Sequence, residues 1–142
     1  MSLIPFGESD VKLQGSDVTV VGVSRMVKEA IAAADVLSSE GISIEVIDPR
    51  TLVPLDMETI VSSVKRTGRL VTAEDCVKTA GVGAEIIART TELAMGHIED
   101  VQRIACPDAP APFSPLLQDA YMPGKNAIVE TVKKMMGCSL AS

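Results

Sequence analysis

Short apolar runs rich in β-branched residues alternate along the chain with stretches in which apolar residues recur every three or four positions. Val18-Thr19-Val20-Val21-Gly22-Val23 is a run of the first kind and predicts a buried strand. Val27, Ala30, Ile31, Ala34 and Leu37 then fall on one helical stripe, with Gly41 placed for a C-cap at positive φ. Ile42 to Ile47 predicts a second strand. The segment Asp48-Pro49-Arg50-Thr51-Leu52-Val53-Pro54-Leu55 is predicted irregular, because its prolines remove donors and fix φ. Asp56 is placed to N-cap a helix carrying Met57, Ile60, Val61 and Val64, which stops near Gly68. Leu70 to Ala73 predicts a third strand, Ala84 to Ala94 a helix, and Val101 to Cys106 a fourth strand.

The segment from Cys106 to Pro115 holds Pro107, Pro110, Pro112 and Pro115 and is expected to be extended or turning over a surface. A last helix follows Pro123-Gly124, with Ile128, Val129, Val132, Met135 and Met136 on its buried side. Val11-Lys12-Leu13 is short and of mixed polarity, as suits an edge strand. Strands alternating with helices at this spacing imply βαβ units and a mostly parallel sheet covered on both faces. The expected organisation is one domain over residues 4–137. Met1-Ser2-Leu3 (1–3) are read as a cloning remnant and 138–142 as a frayed tail. The chain is then expected to be a piece of a longer protein.

Composition narrows the function. The 142 residues carry 13 Lys+Arg against 19 Asp+Glu, a net charge of −6, with no Trp, one Tyr and two Phe. Such a chain lacks the basic field and the stacking platforms that nucleic acids need, and the field that would draw it to an anionic lipid surface. No apolar run reaches the roughly 18 residues of a membrane span. Cys76, Cys106 and Cys138 are odd in number and form no C-x-x-C pair, so neither a disulfide framework nor a zinc site is expected, and a reduced intracellular setting fits.

Candidate chemistry is sparse. Gly81-Val82-Gly83-Ala84-Glu85 lies where a dinucleotide fingerprint would, but Ile86 replaces the third glycine and Glu85 would repel a pyrophosphate. A tight turn that lets the helix approach the sheet is the better reading. Glu74-Asp75 ends a parallel strand, where α/β proteins place working groups. Neighbouring strand residues point to opposite faces, so a solvated strand end is favoured over a catalytic pair. Arg25, after Ser24 at another strand end, could clamp a carboxylate or phosphate, but a surface ion pair is the favoured reading. His97, the only histidine, and Cys76 have no nucleophile partner in the sequence. Met135-Met136 is either core packing or a partner contact.

Several ordered phrases are together more specific than any of these. They are Ile4-Pro5-Phe6-Gly7, Gly15-Ser16-Asp17-Val18-Thr19-Val20-Val21, the stretch from Glu45-Val46-Ile47-Asp48-Pro49-Arg50 through Asp56, Thr67-Gly68-Arg69-Leu70-Val71, Gly81-Val82-Gly83-Ala84-Glu85-Ile86, and the proline-rich segment. From Ile4 to about Gly137 the chain resembles the C-terminal domain of the beta subunit of thiamine-diphosphate-dependent 2-oxo acid dehydrogenases, the E1 component, of the pyruvate or acetoin type.

The resemblance implies a transketolase C-terminal-like α/β fold. Three α/β/α layers would surround a five-stranded, mostly parallel sheet with Val11–Leu13 as its antiparallel edge. It also implies that strand order reverses beside the strand ending at Val23, which puts the candidate crevice between Ser24, Arg25, Glu74 and Asp75. In this family thiamine diphosphate and its Mg are held by the alpha subunit and by the beta subunit's N-terminal domain. No catalytic, cofactor-binding or metal residue therefore carries over to this chain. Some members have His before Glu where this chain has Ala73-Glu74. The implied role is assembly, with the E1 alpha subunit, the E1 beta N-terminal domain, a second beta subunit and the E2 acyltransferase as partners, in bacterial cytoplasm or the mitochondrial matrix. Val53, Leu55, Phe113, Leu116 and Tyr121 are the candidate interface, and a homodimer of the isolated chain is open. A free-standing small-molecule-binding or regulatory module, or a domain of a 2-oxo acid:ferredoxin oxidoreductase, stands as the alternative.

Overall fold

The apolar runs become the centre of a sheet. In the computed structural model, which describes residues 3–138, strand β2 (Val18–Gly22) is buried along its whole length. Around it lie β1 (Asp10–Leu13), β3 (Ile44–Asp48), β4 (Arg69–Val77) and β5 (Asp100–Cys106). The five strands are ordered β1-β3-β2-β4-β5. Strand β1 runs antiparallel to β3, pairing Val11 with Ile47, and the other pairs are parallel.

Two apolar layers sit on the two faces of the sheet. Helices α1 (Met26–Ser39) and α5 (Lys125–Met135) cover one face, where Val18, Val20, Val71 and Ala73 meet Met26, Ala30, Leu37, Ile128 and Val132. Helices α2 (Met57–Thr67) and α3 (Val82–Ala94) cover the other, where Val21, Ile47 and Leu70 meet Ile60, Val64 and Ile86. The alternation of strand side chains thus sorts the core into two halves, and the three-layer α/β/α arrangement is the one expected.

Local signals fix the ends of the elements. Gly41 has φ 79° and lets Ile42 N–H reach back to the Leu37 carbonyl at 3.0 Å. Ile42 and Leu37 are both buried beside that turn, the apolar contact that accompanies such a cap. Ile42 therefore closes α1, and β3 begins at Ile44. Asp56 caps α2 by accepting from Thr59 N–H at 3.1 Å, and Gly68 (φ 74°) closes that helix. Asp56 also accepts from Ser9 N–H at 2.8 Å. Burial opposes its charge, but the bonds from Ser9 and Thr59 outweigh that and hold the carboxyl below its ordinary value.

Three expectations are revised. Strand β4 does not stop at Ala73 but runs to Val77, with its pairing to β5 shifted between Ala73 and Val77. Helix α3 starts at Val82, two residues before the expected Ala84. The proline-rich segment ends in a short helix, α4 (Pro115–Tyr121), with Pro115 at its first position, where the missing N–H costs nothing. Met135 and Met136 pack half-buried against the core beside α1, which is the core-packing alternative. Of the expected tail, 139–142 lies outside the described residues, as do Met1 and Ser2 of the expected remnant.

Candidate functional site

The C-terminal ends of β2 and β4 adjoin, as the expected reversal of strand order requires, with Gly22 paired to Ala73. The chain turns sharply there. Ser24 takes φ 56°, and a Cβ on Gly22 would stand 2.9 Å from the Val27 nitrogen, so α1 starts almost on top of its strand. Arg25 then projects toward α5. Its guanidinium donates to Glu29 Oε1 at 3.2 Å and to the Pro123 carbonyl at 2.6 Å. Glu29 Oε2 in turn accepts from Lys125 N–H at 2.8 Å, at the half-buried N-terminus of α5. Together Arg25 and Glu29 clasp the α4–α5 junction to α1. The ion-pair reading of Arg25 is the one realised, with one donor on Glu29 and another on the Pro123 carbonyl.

Glu74 is not a solvated strand end. Its side chain is 1% exposed and points beneath the N-terminus of α3, where Oε1 accepts from Gly83 N–H at 3.1 Å. Burial pushes its carboxyl upward. The Gly83 and Val82 N–H groups and the Arg103 charge pull the other way, and Asp75 adds to the rise. The two glycines of the turn make the space. A Cβ on Gly81 would lie 2.5 Å from Glu74 Oε1, and one on Gly83 would lie 2.6 Å from Thr72 Oγ1. The tight-turn reading of Gly81-Val82-Gly83 holds, and it serves to seat a carboxyl that the sequence alone does not show to be buried.

Asp75 lies half-buried on the other face of β4. It neighbours the thiols of Cys76 and Cys106, both pushed up chiefly by burial and further by Asp75. Neither thiol is activated as a nucleophile. The four crevice candidates therefore divide. Glu74 serves α3, Arg25 serves α5, Asp75 borders Cys106, and Ser24 shapes a turn. They do not converge on one ligand. An open cleft of about 560 Å³ lies at the α4–α5 junction, lined by Glu29, Tyr121, Met122 and Lys125 among others. His97 is exposed in a single 3-10 turn (Met95–His97) at the opposite end of the sheet. Among the described residues no group of three or more His, Cys, Asp or Glu is placed to hold a metal.

The interface candidates also divide. Phe113, Val53 and Leu116 are 100%, 88% and 83% exposed, and no residue of α4 is buried. Leu55, by contrast, packs into the core with Met57 and Ile60, because the turn into α2 aims it inward. Tyr121 is half-buried, its hydroxyl donating to the Ala109 carbonyl at 2.8 Å. That bond folds the segment 107–121 into a strap. The strap is tied to the turn after β4 by Asp108, which accepts from Thr79 N–H at 2.9 Å and from the Thr79 hydroxyl. Those bonds hold the Asp108 carboxyl below its ordinary value. Leu117, Leu52 and Phe6 are exposed too and were not among the candidates. Their signal was available as apolar residues beside Pro115, Pro54 and Pro5, where regular packing is interrupted.

Comparison with known proteins agrees with this geometry. The model of the family described as "Transketolase, C-terminal domain" matches residues 7–128. The chain is 42% identical over 134 residues to the mitochondrial pyruvate dehydrogenase E1 component subunit beta of Dictyostelium discoideum, covering 94% of the chain and 38% of that protein. It is 39% identical to the acetoin:2,6-dichlorophenolindophenol oxidoreductase subunit beta of Cupriavidus necator, again over 94% of the chain and 40% of the relative. The pyruvate dehydrogenase E1 component subunit beta of Bacillus subtilis is 38% identical, with 94% and 41% covered. A solved structure titled "Split gene transketolase, inactive beta4 tetramer" superposes with TM-score 0.82 at 29% identity, covering 96% of the chain and 45% of that one. The chain thus spans about two fifths of the length of the curated relatives it matches.

Proposed function

Because the chain belongs to the transketolase C-terminal domain family, we propose that it is the assembly and interaction domain of the E1 beta subunit of a 2-oxo acid dehydrogenase. The parent enzyme, on this reading, decarboxylates a pyruvate-like 2-oxo acid and passes the acyl group to lipoamide. Thiamine diphosphate with Mg supplies that chemistry, as an electron sink for the carbanion, and the parts that bind it lie outside this chain. The observation that carries the proposal is the exposed apolar strap: Phe113 and Leu116 stand almost wholly in solvent on a segment pinned by Tyr121 and Asp108. Large apolar residues held rigidly in water mark a contact surface. The expected partners are the E1 alpha subunit, the beta N-terminal domain, a second beta subunit and the E2 acyltransferase. The charge of −6 suits a basic E2 docking module, because complementary fields speed encounter and fix orientation.

Two measurements test the reading. Calorimetry of the isolated chain should show no thiamine diphosphate binding, and micromolar binding would overturn the assignment of the cofactor to other parts. Binding of an E2 peripheral domain should weaken steeply with added salt, and a salt-independent affinity would sink the electrostatic part.

A further inference from the structure

Glu74 is the most deeply buried acid in the described chain, and the assembly reading does not use it. Its Oε1 accepts from Gly83 N–H, whereas its Oε2 has no hydrogen-bond partner among the described residues. The Thr72 hydroxyl, on the same face of β4, is likewise buried without a partner. A carboxylate left in that state would carry a bare oxygen in an apolar site, at a cost large enough to favour taking up a proton. A carboxylic acid avoids the cost of that bare charge. The turn closes tightly on the carboxyl: Oε2 and the Val77 carbonyl each lie 2.8 Å from the point where a Gly81 Cβ would sit.

The surroundings contain little to neutralise an anion. Arg103 on β5, whose guanidinium donates to the Lys78 carbonyl at 3.0 Å, is the charge that favours the anion, and its effect ranks below that of burial. Asp75 on β4 opposes it, the Cys76 and Cys106 thiols stay neutral, and α3 brings Glu85 in its first turn. The N-terminus of α3 offers its amides, yet those reach only one oxygen.

What rests on Glu74 is a connected unit. Residues 78–81 close over it, with Gly81 N–H bonded to the Lys78 carbonyl at 3.4 Å. Lys78 N–H donates to the Cys106 carbonyl at 3.0 Å, and Thr79 donates to Asp108. The turn above the carboxyl is therefore the same turn that anchors the strap carrying Phe113 and Leu116.

We infer that Glu74 is a proton-operated latch: as the acid it seats the 77–83 turn, and as the anion it loosens that turn and the strap tied to it. The proton comes from and returns to solvent, and no other group is consumed. The inference stands independently of what the strap binds. Release goes with rising pH, because the acid form is the one the fold favours. Between the unfolded and folded titration points, the folding equilibrium constant should fall by up to about tenfold per pH unit.

The test is carbon-13 NMR of the full chain labelled at glutamate carboxyls, with Glu74 assigned by its loss in Glu74→Gln. The same samples are followed by amide exchange at Val82, Gly83 and Thr79, corrected for intrinsic base catalysis, and by limited proteolysis within 107–117. Glu74 should titrate above 4.5, and over that range exchange and strap cleavage should rise in the wild type and stay level in Glu74→Gln. Titration at or below 4.5 overturns the latch, and so does an identical exchange profile in the two proteins. Strap cleavage that ignores pH overturns the coupling to the strap. If Glu74→Gln does not fold, the wild-type exchange profile decides, with Glu74 assigned by through-bond correlation.

Discussion

Arg66 and Glu45 pair a buried carboxylate with an arginine whose side chain is 55% exposed. Glu45 lies under α2, and a single Arg66 nitrogen spans both its oxygens at 2.7 and 2.8 Å. Removing the arginine takes away the main partner of that carboxylate and leaves it Gly15 N–H at 3.4 Å and incoming water, so Arg66→Ala should destabilise by about 1 kcal/mol, read from urea midpoints. Glu45→Gln with Arg66→Met should recover most of that loss, since the pair itself contributes little beyond satisfying its own burial. Asp56 makes a pH-dependent contribution of the opposite sense to Glu74. Its folded titration point is depressed, so its stabilisation is present above its ordinary value of 3.8 and disappears as pH falls through the lower folded value. Asp56→Ala should cost about 1 kcal/mol at pH 7 and flatten the acid limb of the stability curve. An unchanged acid limb would show that Asp56 is not the group responsible. Gly83→Ala should be worse than either, because its Cβ would press 2.6 Å from Thr72 Oγ1 and 2.8 Å from Glu74 Oε1, both held by strand backbone. A melting point within a few degrees of wild type would refute that reading of the turn.

At the scale of elements, legibility follows from how local the cause is. The stripe on α1, the glycine that ends it and the aspartate that starts α2 all act within a few residues, and each stood open in the sequence. The extension of β4 through Glu74, Asp75 and Cys76 did not, because charged residues in a strand look like its end. What keeps them in strand is β5 alongside and the amide of Gly83, nine residues on and in another element. Helix α4 was hidden by the prolines before it, although Pro115 sits where a proline starts a helix well. The Arg25–Glu29 clasp on α5 joins residues nearly a hundred positions apart, and no spacing rule reaches that far. It also yields a prediction about elements and not about the core. Arg25→Ala should leave the melting point within a few degrees while raising amide exchange through α4 and the first turn of α5. Exchange that stays at the wild-type level there would show that the clasp is not what holds the junction.

For the whole molecule, exposed apolar side chains gather mainly at one end, although Leu93 and Met95 are exposed near the other. The C-terminal ends of the parallel strands carry the strap with Phe113, Leu116 and Leu117 and the loop with Leu52 and Val53. A free-standing domain gains nothing from such residues and risks self-association. On the proposed assembly reading they are the surface on which other parts of the enzyme would seat. Separated from any partner, the chain should associate with itself at high concentration despite the mutual repulsion of −6 on each copy. Sedimentation velocity should therefore show a concentration-dependent increase in mass. The increase should become larger with salt, because salt screens the repulsion and leaves the apolar contact intact. Phe113→Ser with Leu116→Ser should restore a monomer at every concentration without lowering the melting point, because neither side chain is buried. A wild-type monomer at millimolar concentration and high salt would mean that the strap is not sticky enough to be a contact surface. A double variant that still associates would move the surface elsewhere, with Val53 the next residue to change.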